Sequence, residues 1–178
     1  GIGKYDIEFF GKATHCAVSA ERGIHAINEF LYQGQRILEL ARPEIGTTIN
    51  IGVVNGGTTP NSIPDYCKAT VDVRISTLEE GERINEAMHN IVNETFVEGI
   101  RIEVDGYIKR PPMHLTEESL AFCKAVDEIC KELKIEAEWE STGGGSDGNF
   151  TSALGVPTTD AFGPVGGYGH SVDEFLDV

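Results

Sequence analysis

Two histidines sit where an imidazole could reach a ligand. His15 lies in "GKATHCA" and His170 in "GGYGHS", and small neighbours leave each ring room to face a cleft. An imidazole so placed can ligate a metal, move a proton or donate a hydrogen bond. It can equally be an ordinary loop histidine, and these segments alone leave both readings open. His25 and His89 fall inside helical patterns, and His114 follows two prolines. Those three read as structural or solvent-facing residues.

Arg74 closes a strand-like stretch. Its planar fork can clamp a carboxylate, or it can be a solvated edge residue. Asn61, in "TTPNSIP", sits between prolines. Its amide offers a donor and an acceptor to a ligand, or shapes a local turn. "TGGGSDG" (142–148) stands between a strand-like and a helical pattern. Gly144 and Gly145 let backbone N–H groups approach an anion, or simply allow a tight turn. The segment is neither GxGxxG nor a P-loop, and "GGGSDG" is not a GxSxG elbow, which disfavours a serine hydrolase.

The elements that must position these residues follow from periodicity. Strands are expected over 4–14, 47–57, 65–76 and 99–110. A helix over 23–44 places Ile24, Ile27, Leu31 and Leu38 on one stripe and ends at Pro43. A second helix starts at the capping box "TLEE", with Thr77 as cap and Glu80 at the third helical position, and runs to about residue 96. The order β-α-β-β-α-β is that of the ferredoxin-like, split βαβ arrangement. "RPPMH" (110–114) marks a boundary. Beyond it come a helix over 116–134, a strand over 135–141, a helix near 147–154 and a strand over 157–161. This stretch is too small for a core of its own. Residues 114–178 therefore read as an incomplete α/β segment, giving an α+β chain whose opening looks like a cut.

The formal net charge is -15, which repels phosphate backbones and argues against a nucleic-acid partner. No apolar run suits a membrane span. Cys16, Cys67, Cys123 and Cys130 show no CxxC or zinc-finger spacing, and Cys123 and Cys130 share a helix face as buried small residues. Nothing demands an oxidising compartment, and a cytoplasmic location is expected.

"GKATHCA", "TTPNSIPDYCKATVDVR", "GGGSDGNFTSALGVPT" and "GPVGGYGHS" occur in this order. Together they resemble the zinc metallopeptidase and amidohydrolase family of glutamate carboxypeptidase, aminoacylase and succinyl-diaminopimelate desuccinylase. The resemblance implies a lid or dimerisation domain over 1–113 and the returning part of a catalytic domain over 114–178. It implies a homodimer, two Zn2+ per complete site (or Co2+ or Mn2+), and a small peptide or N-acyl amino acid substrate. It implies Arg74, Asn61, Gly144 and Gly145 as substrate-binding residues, His170 as a metal ligand and His15 as a catalytic donor reaching across the dimer. The resemblance places the family's His-x-Asp, bridging Asp and Glu-Glu pair in an N-terminal catalytic portion that these residues do not include, so the chain alone is expected to be inactive. The competing expectation is a non-catalytic dimerisation and substrate-binding module, or a regulatory domain that binds a small molecule.

Overall fold

The computed structural model describes residues 1–177. Alternation builds the first strand, β1 (Ile2–Phe10): Tyr5, Ile7 and Phe9 are fully buried, and Lys4, Asp6 and Glu8 take the opposite face. A short arm, β2 (Thr14–His15), leads to helix α1 (Ala26–Glu39). Then come β3 (Thr48–Gly56), the two-residue β4 (Ser62–Ile63), β5 (Tyr66–Arg74), helix α2 (Leu78–Asn90) and β6 (Arg101–Arg110). The long strands form one antiparallel sheet in the order β3-β5-β1-β6, and β2 pairs with β4 apart from it. The core joins Tyr5, Phe9, Val71 and Val73 of the sheet to Ile37 of α1 and Ile84 and Met88 of α2. Burial pushes the Cys67 thiol up to about 11, which keeps it protonated and inert at neutral pH.

Thr77 caps α2 as the capping box requires: its side chain accepts from the Glu80 N–H at 3.2 Å. The helix stops at Asn90, short of residue 96, and passes into a turn of 3-10 helix over Ile91–Asn93. His25 is the N-cap of α1, not an interior helical residue, and its Nδ1 accepts from the Asn28 N–H at 3.1 Å.

Only part of the expected apolar stripe of α1 faces the core: Ile27 packs against it, and the two leucines turn outward. Leu31 is 61% exposed and Leu38 50% exposed. The buried stripe is Ala26, Glu29, Gln33, Gly34 and Ile37. Two polar side chains occupy it because each finds partners there. Glu29 accepts from the backbone N–H groups of Phe96 at 2.8 Å and Val97 at 2.7 Å, and from Gln33 Nε2 at 2.7 Å. Gln33 Nε2 also donates to the Glu94 carbonyl at 2.6 Å. A buried carboxylate needs such bonds to offset the loss of water.

Glu80 ties the two helices together. Its carboxylate receives Arg83 at 2.6 Å, Thr47 Oγ1 at 2.7 Å and Arg42 at 3.0 Å. Arg83 also donates to the Leu40 carbonyl at the end of α1. These donors, Arg83 first, hold Glu80 at about 2, well below the usual 4.5. A depressed carboxylate contributes stability above its unfolded value and loses it as pH falls towards its folded one. Glu80→Gln should therefore cost about 2–3 kcal/mol at pH 7. That difference should shrink between pH 4.5 and about 2, the range set by these two values. Urea unfolding at several pH values measures it, and an equal cost at pH 7 and pH 2.5 would be the wrong outcome.

The remaining elements are α3 (Glu117–Leu133), α4 (Gly148–Ala153), β7 (Gly166–Gly167) and β8 (Phe175–Leu176). The strands expected over 135–141 and 157–161 do not form. A strand persists only beside another that takes up its N–H and C=O groups. Among the described residues no strand runs alongside these segments. Cys123 and Cys130 are half-buried rather than buried, and Leu120 and Leu133 are exposed, because the apolar face of α3 is left largely uncovered.

Candidate functional site

Apart from His170, the residues singled out in the sequence gather at two ends of the four-stranded sheet. His15 and Asn61 meet beyond the Phe10–Tyr66 end. His15 stands opposite Ser62 in the β2–β4 ribbon, and the Cys16 N–H donates to the Asn61 carbonyl at 3.0 Å. The arm lies close to the start of α1 because residue 11 is glycine: a Cβ there would collide with the Ile24 carbonyl. The His15 ring is held from one side. Its Nδ1 accepts from the Ala17 N–H at 3.2 Å and the Val18 N–H at 3.3 Å. With Nδ1 accepting, the ring proton sits on Nε2, and the exposed ring presents that N–H outward.

Arg74 lies at the opposite end, opposite Ile2 of β1. The nine residues of β5 separate it from the His15–Asn61 end by roughly 25 Å. Within one chain, therefore, Asn61 and Arg74 do not share a pocket. The neighbour of Arg74 is the glycine loop: its Nη1 donates to the Gly143 carbonyl at 3.3 Å. That loop is docked on the sheet end by Arg110 to Asp147 at 2.9 Å and by Asn149 Nδ2 to the Pro111 carbonyl at 2.8 Å. A Cβ on Gly145 would collide with the Ile2 side chain, so glycine permits this approach. Local side chains already accept from two N–H groups of the loop, Gly144 to Thr142 Oγ1 at 3.3 Å and Gly148 to Ser146 Oγ at 2.9 Å.

His170 lies in the turn between β7 and β8, exposed, with φ at 66°. This left-handed backbone is strained for a residue with a Cβ. Among the described residues no three His, Cys, Asp or Glu side chains are grouped so as to hold a metal ion. His170 alone is one donor, and these residues do not fit a two-metal centre.

Asp72 lies in "TTPNSIPDYCKATVDVR", one of the stretches that carry the resemblance, but its sequence position alone assigned it no role. It receives Arg74 Nε at 2.8 Å and Nη2 at 3.2 Å. Its signal was a two-residue spacing within a strand, which places both side chains on one face. A surface groove of about 500 Å³ lies away from all of these residues, over Asp6, Glu8, Glu103 and Asp105. There Asp6 stands opposite Asp105 and Glu8 opposite Glu103. Lys68 answers the β1 pair at 3.4 and 3.5 Å.

The sheet and the arm carrying His15 define a class. A family model described as a peptidase dimerisation domain matches residues 1–100. The chain belongs to the M20 peptidase family. It is 30% identical over 154 residues to the uncharacterized protein YqjE of Bacillus subtilis, covering 84% of this chain and 40% of that one. It is 27% identical over 175 residues to succinyl-diaminopimelate desuccinylase of Polynucleobacter necessarius, covering 88% and 44%. Among solved structures, a tripeptidase from Staphylococcus aureus superposes with a TM-score of 0.74 at 25% identity, covering 88% of this chain and 41% of that one. The chain thus spans about two-fifths of the length of these relatives. Its mixed α/β fold with an antiparallel sheet is that of M20 peptidases. No helix among the described residues is long and apolar enough to cross a membrane.

Proposed function

We propose that this chain is the dimerisation and substrate-clamping part of a metal-dependent hydrolase that cleaves an amide bond beside a free carboxylate. Residues 1–113 act as a ferredoxin-like lid, a reading that the strand order supports, and 114–178 return to the catalytic domain. The observation that carries this reading is the outward-facing His15 N–H on a domain of the peptidase dimerisation family.

Each residue has a task that its placement supports. Arg74 holds the substrate carboxylate, with the backbone around Gly144 and Gly145 beside it. The His15 Nε2–H donates to the oxyanion that develops on the scissile carbonyl, where a fixed donor lowers the barrier. Asn61 contributes its amide next to His15. A small substrate cannot span the roughly 25 Å between the two ends of β5. The pair that serves one Arg74 therefore comes from the partner subunit's His15 and the partner subunit's Asn61. His170 supplies one imidazole to a zinc, cobalt or manganese centre whose other ligands lie outside these residues. The cytoplasm suits the four free cysteines.

The dimer forms about a two-fold axis along β3 and α1. β3 is an edge strand with unpaired backbone groups, and a bulge between Ile51 and Val53 twists it. Val53 and Val54 are exposed there, and so are Leu31 and Leu38 on α1.

The test compares two polypeptides, this chain and one extended upstream by a catalytic portion. Each is loaded with zinc and offered a panel of dipeptides and N-acetyl amino acids. The extended protein should release free amine, and this chain should neither turn over nor bind zinc stoichiometrically. An extended protein with intact metal that hydrolyses no member of a broad panel would favour the non-catalytic module instead.

A further inference from the structure

We propose that Asp72 is a positioning residue that fixes which edge of Arg74 faces the substrate; this rests on the reading of Arg74 as the carboxylate clamp. Asp72 and Arg74 are two residues apart on β5 and so lie on one face of the sheet. Arg74 folds back along its own strand, and its side edge closes on the carboxylate, Nε to Oδ1 at 2.8 Å and Nη2 to Oδ2 at 3.2 Å. This parallel pair of bonds sets the plane of the guanidinium as well as its position.

The consequence is a division of donors. A guanidinium has five N–H groups. Asp72 takes the Nε–H and one N–H of Nη2, which leaves the end of the fork, formed by Nη1 and Nη2. Nη1 already reaches the glycine loop, donating to the Gly143 carbonyl at 3.3 Å. The free end of Arg74 is thus directed at the loop proposed to line the substrate pocket. A Cβ at Gly143 would meet nothing within 4 Å, so the loop is open on the side-chain side of that residue. A substrate carboxylate would take the end of the fork there, with its plane matched to a guanidinium that no longer has to be ordered on binding. Without Asp72, Arg74 keeps its charge and loses its aim. The effect should therefore fall on recognition of a planar carboxylate rather than on the chemical step.

Two measurements test this. In ¹⁵N NMR of this chain, the Arg74 side chain should show hindered rotation about Nε–Cζ, and Asp72→Asn should average its Nη signals. Equally hindered rotation in Asp72→Asn would overturn the proposal. In the extended protein, kinetics on an N-acetyl amino acid from the turned-over panel are compared with those on its carboxamide. Asp72→Asn should raise KM for the carboxylate substrate about tenfold or more, as expected for losing a charge-assisted pair. Its kcat should stay within about twofold, and its preference for carboxylate over carboxamide should narrow. Arg74→Ala separates the two levels of the argument. If Arg74→Ala raises KM and Asp72→Asn does not, Asp72 has no positioning role and the clamp reading stands. If neither changes KM, the clamp reading falls, and this inference falls with it.

Discussion

His15→Ala in the extended enzyme should lower kcat by roughly 10²–10³-fold, the usual result of removing one oxyanion donor. Metal content should not change, because His15 lies in the arm beyond the Phe10–Tyr66 end of the sheet, in a ribbon with Ser62. KM should move little if the hydrogen bond strengthens mainly as charge develops on the oxygen. His15→Gln should recover only part of the rate, since an amide N–H cannot occupy the position that the Ala17 and Val18 N–H groups impose on the ring. The in-trans assignment makes a sharper demand. His15→Ala subunits mixed with subunits carrying a disabled metal site should regain partial activity, because one composite site in each heterodimer is whole. Exchange of subunits must be shown by labelled chains. Exchange without rescue would place His15 in its own chain's site or outside catalysis altogether.

The second large effect concerns assembly. Leu31→Asp combined with Leu38→Asp should weaken the dimer about 100-fold or more, the scale for charging two central apolar positions. Both side chains are exposed in the single chain, so the fold should survive the change. Sedimentation should show a monomer at micromolar concentration. On the proposed in-trans assignment the extended protein should lose activity in parallel, since each monomer would keep Arg74 and lack the partner's His15. Activity that persists in a proven monomer would mean that one chain builds the site alone. A dimer that survives the double change would move the interface elsewhere, away from α1 and the β3 edge.

Much of the frame is legible in the residues themselves. Alternation through "DYCKATVDVR" marks β5, and the structure buries Cys67, Ala69, Val71 and Val73 in turn. "TLEE" marks the start of α2 because the Thr77 hydroxyl can accept from the Glu80 N–H, one of the first-turn donors that no helical carbonyl satisfies. Such signals are local: the partner lies within a few residues, so composition and spacing contain it. The small neighbours of His15 and the spacing of Asp72 and Arg74 are signals of the same kind.

What the tertiary structure decided depends on partners far along the chain. In α1 the leucine stripe looked like the face to bury, and the structure buried Glu29 and Gln33 instead. Their partners, the Phe96 and Val97 N–H groups and the Glu94 carbonyl, lie more than 60 residues away, where no helical period can register them. The segments 135–141 and 157–161 have strand-like residues but no neighbouring strand among the described residues, and pairing decides a strand more than propensity does. The separation of Asn61 from Arg74 has the same origin. They are 13 positions apart in sequence, and an extended β5 puts most of that length between them in space. Local chemistry determined which residues could act. Long-range packing determined which of them stand together in one chain and which stand apart.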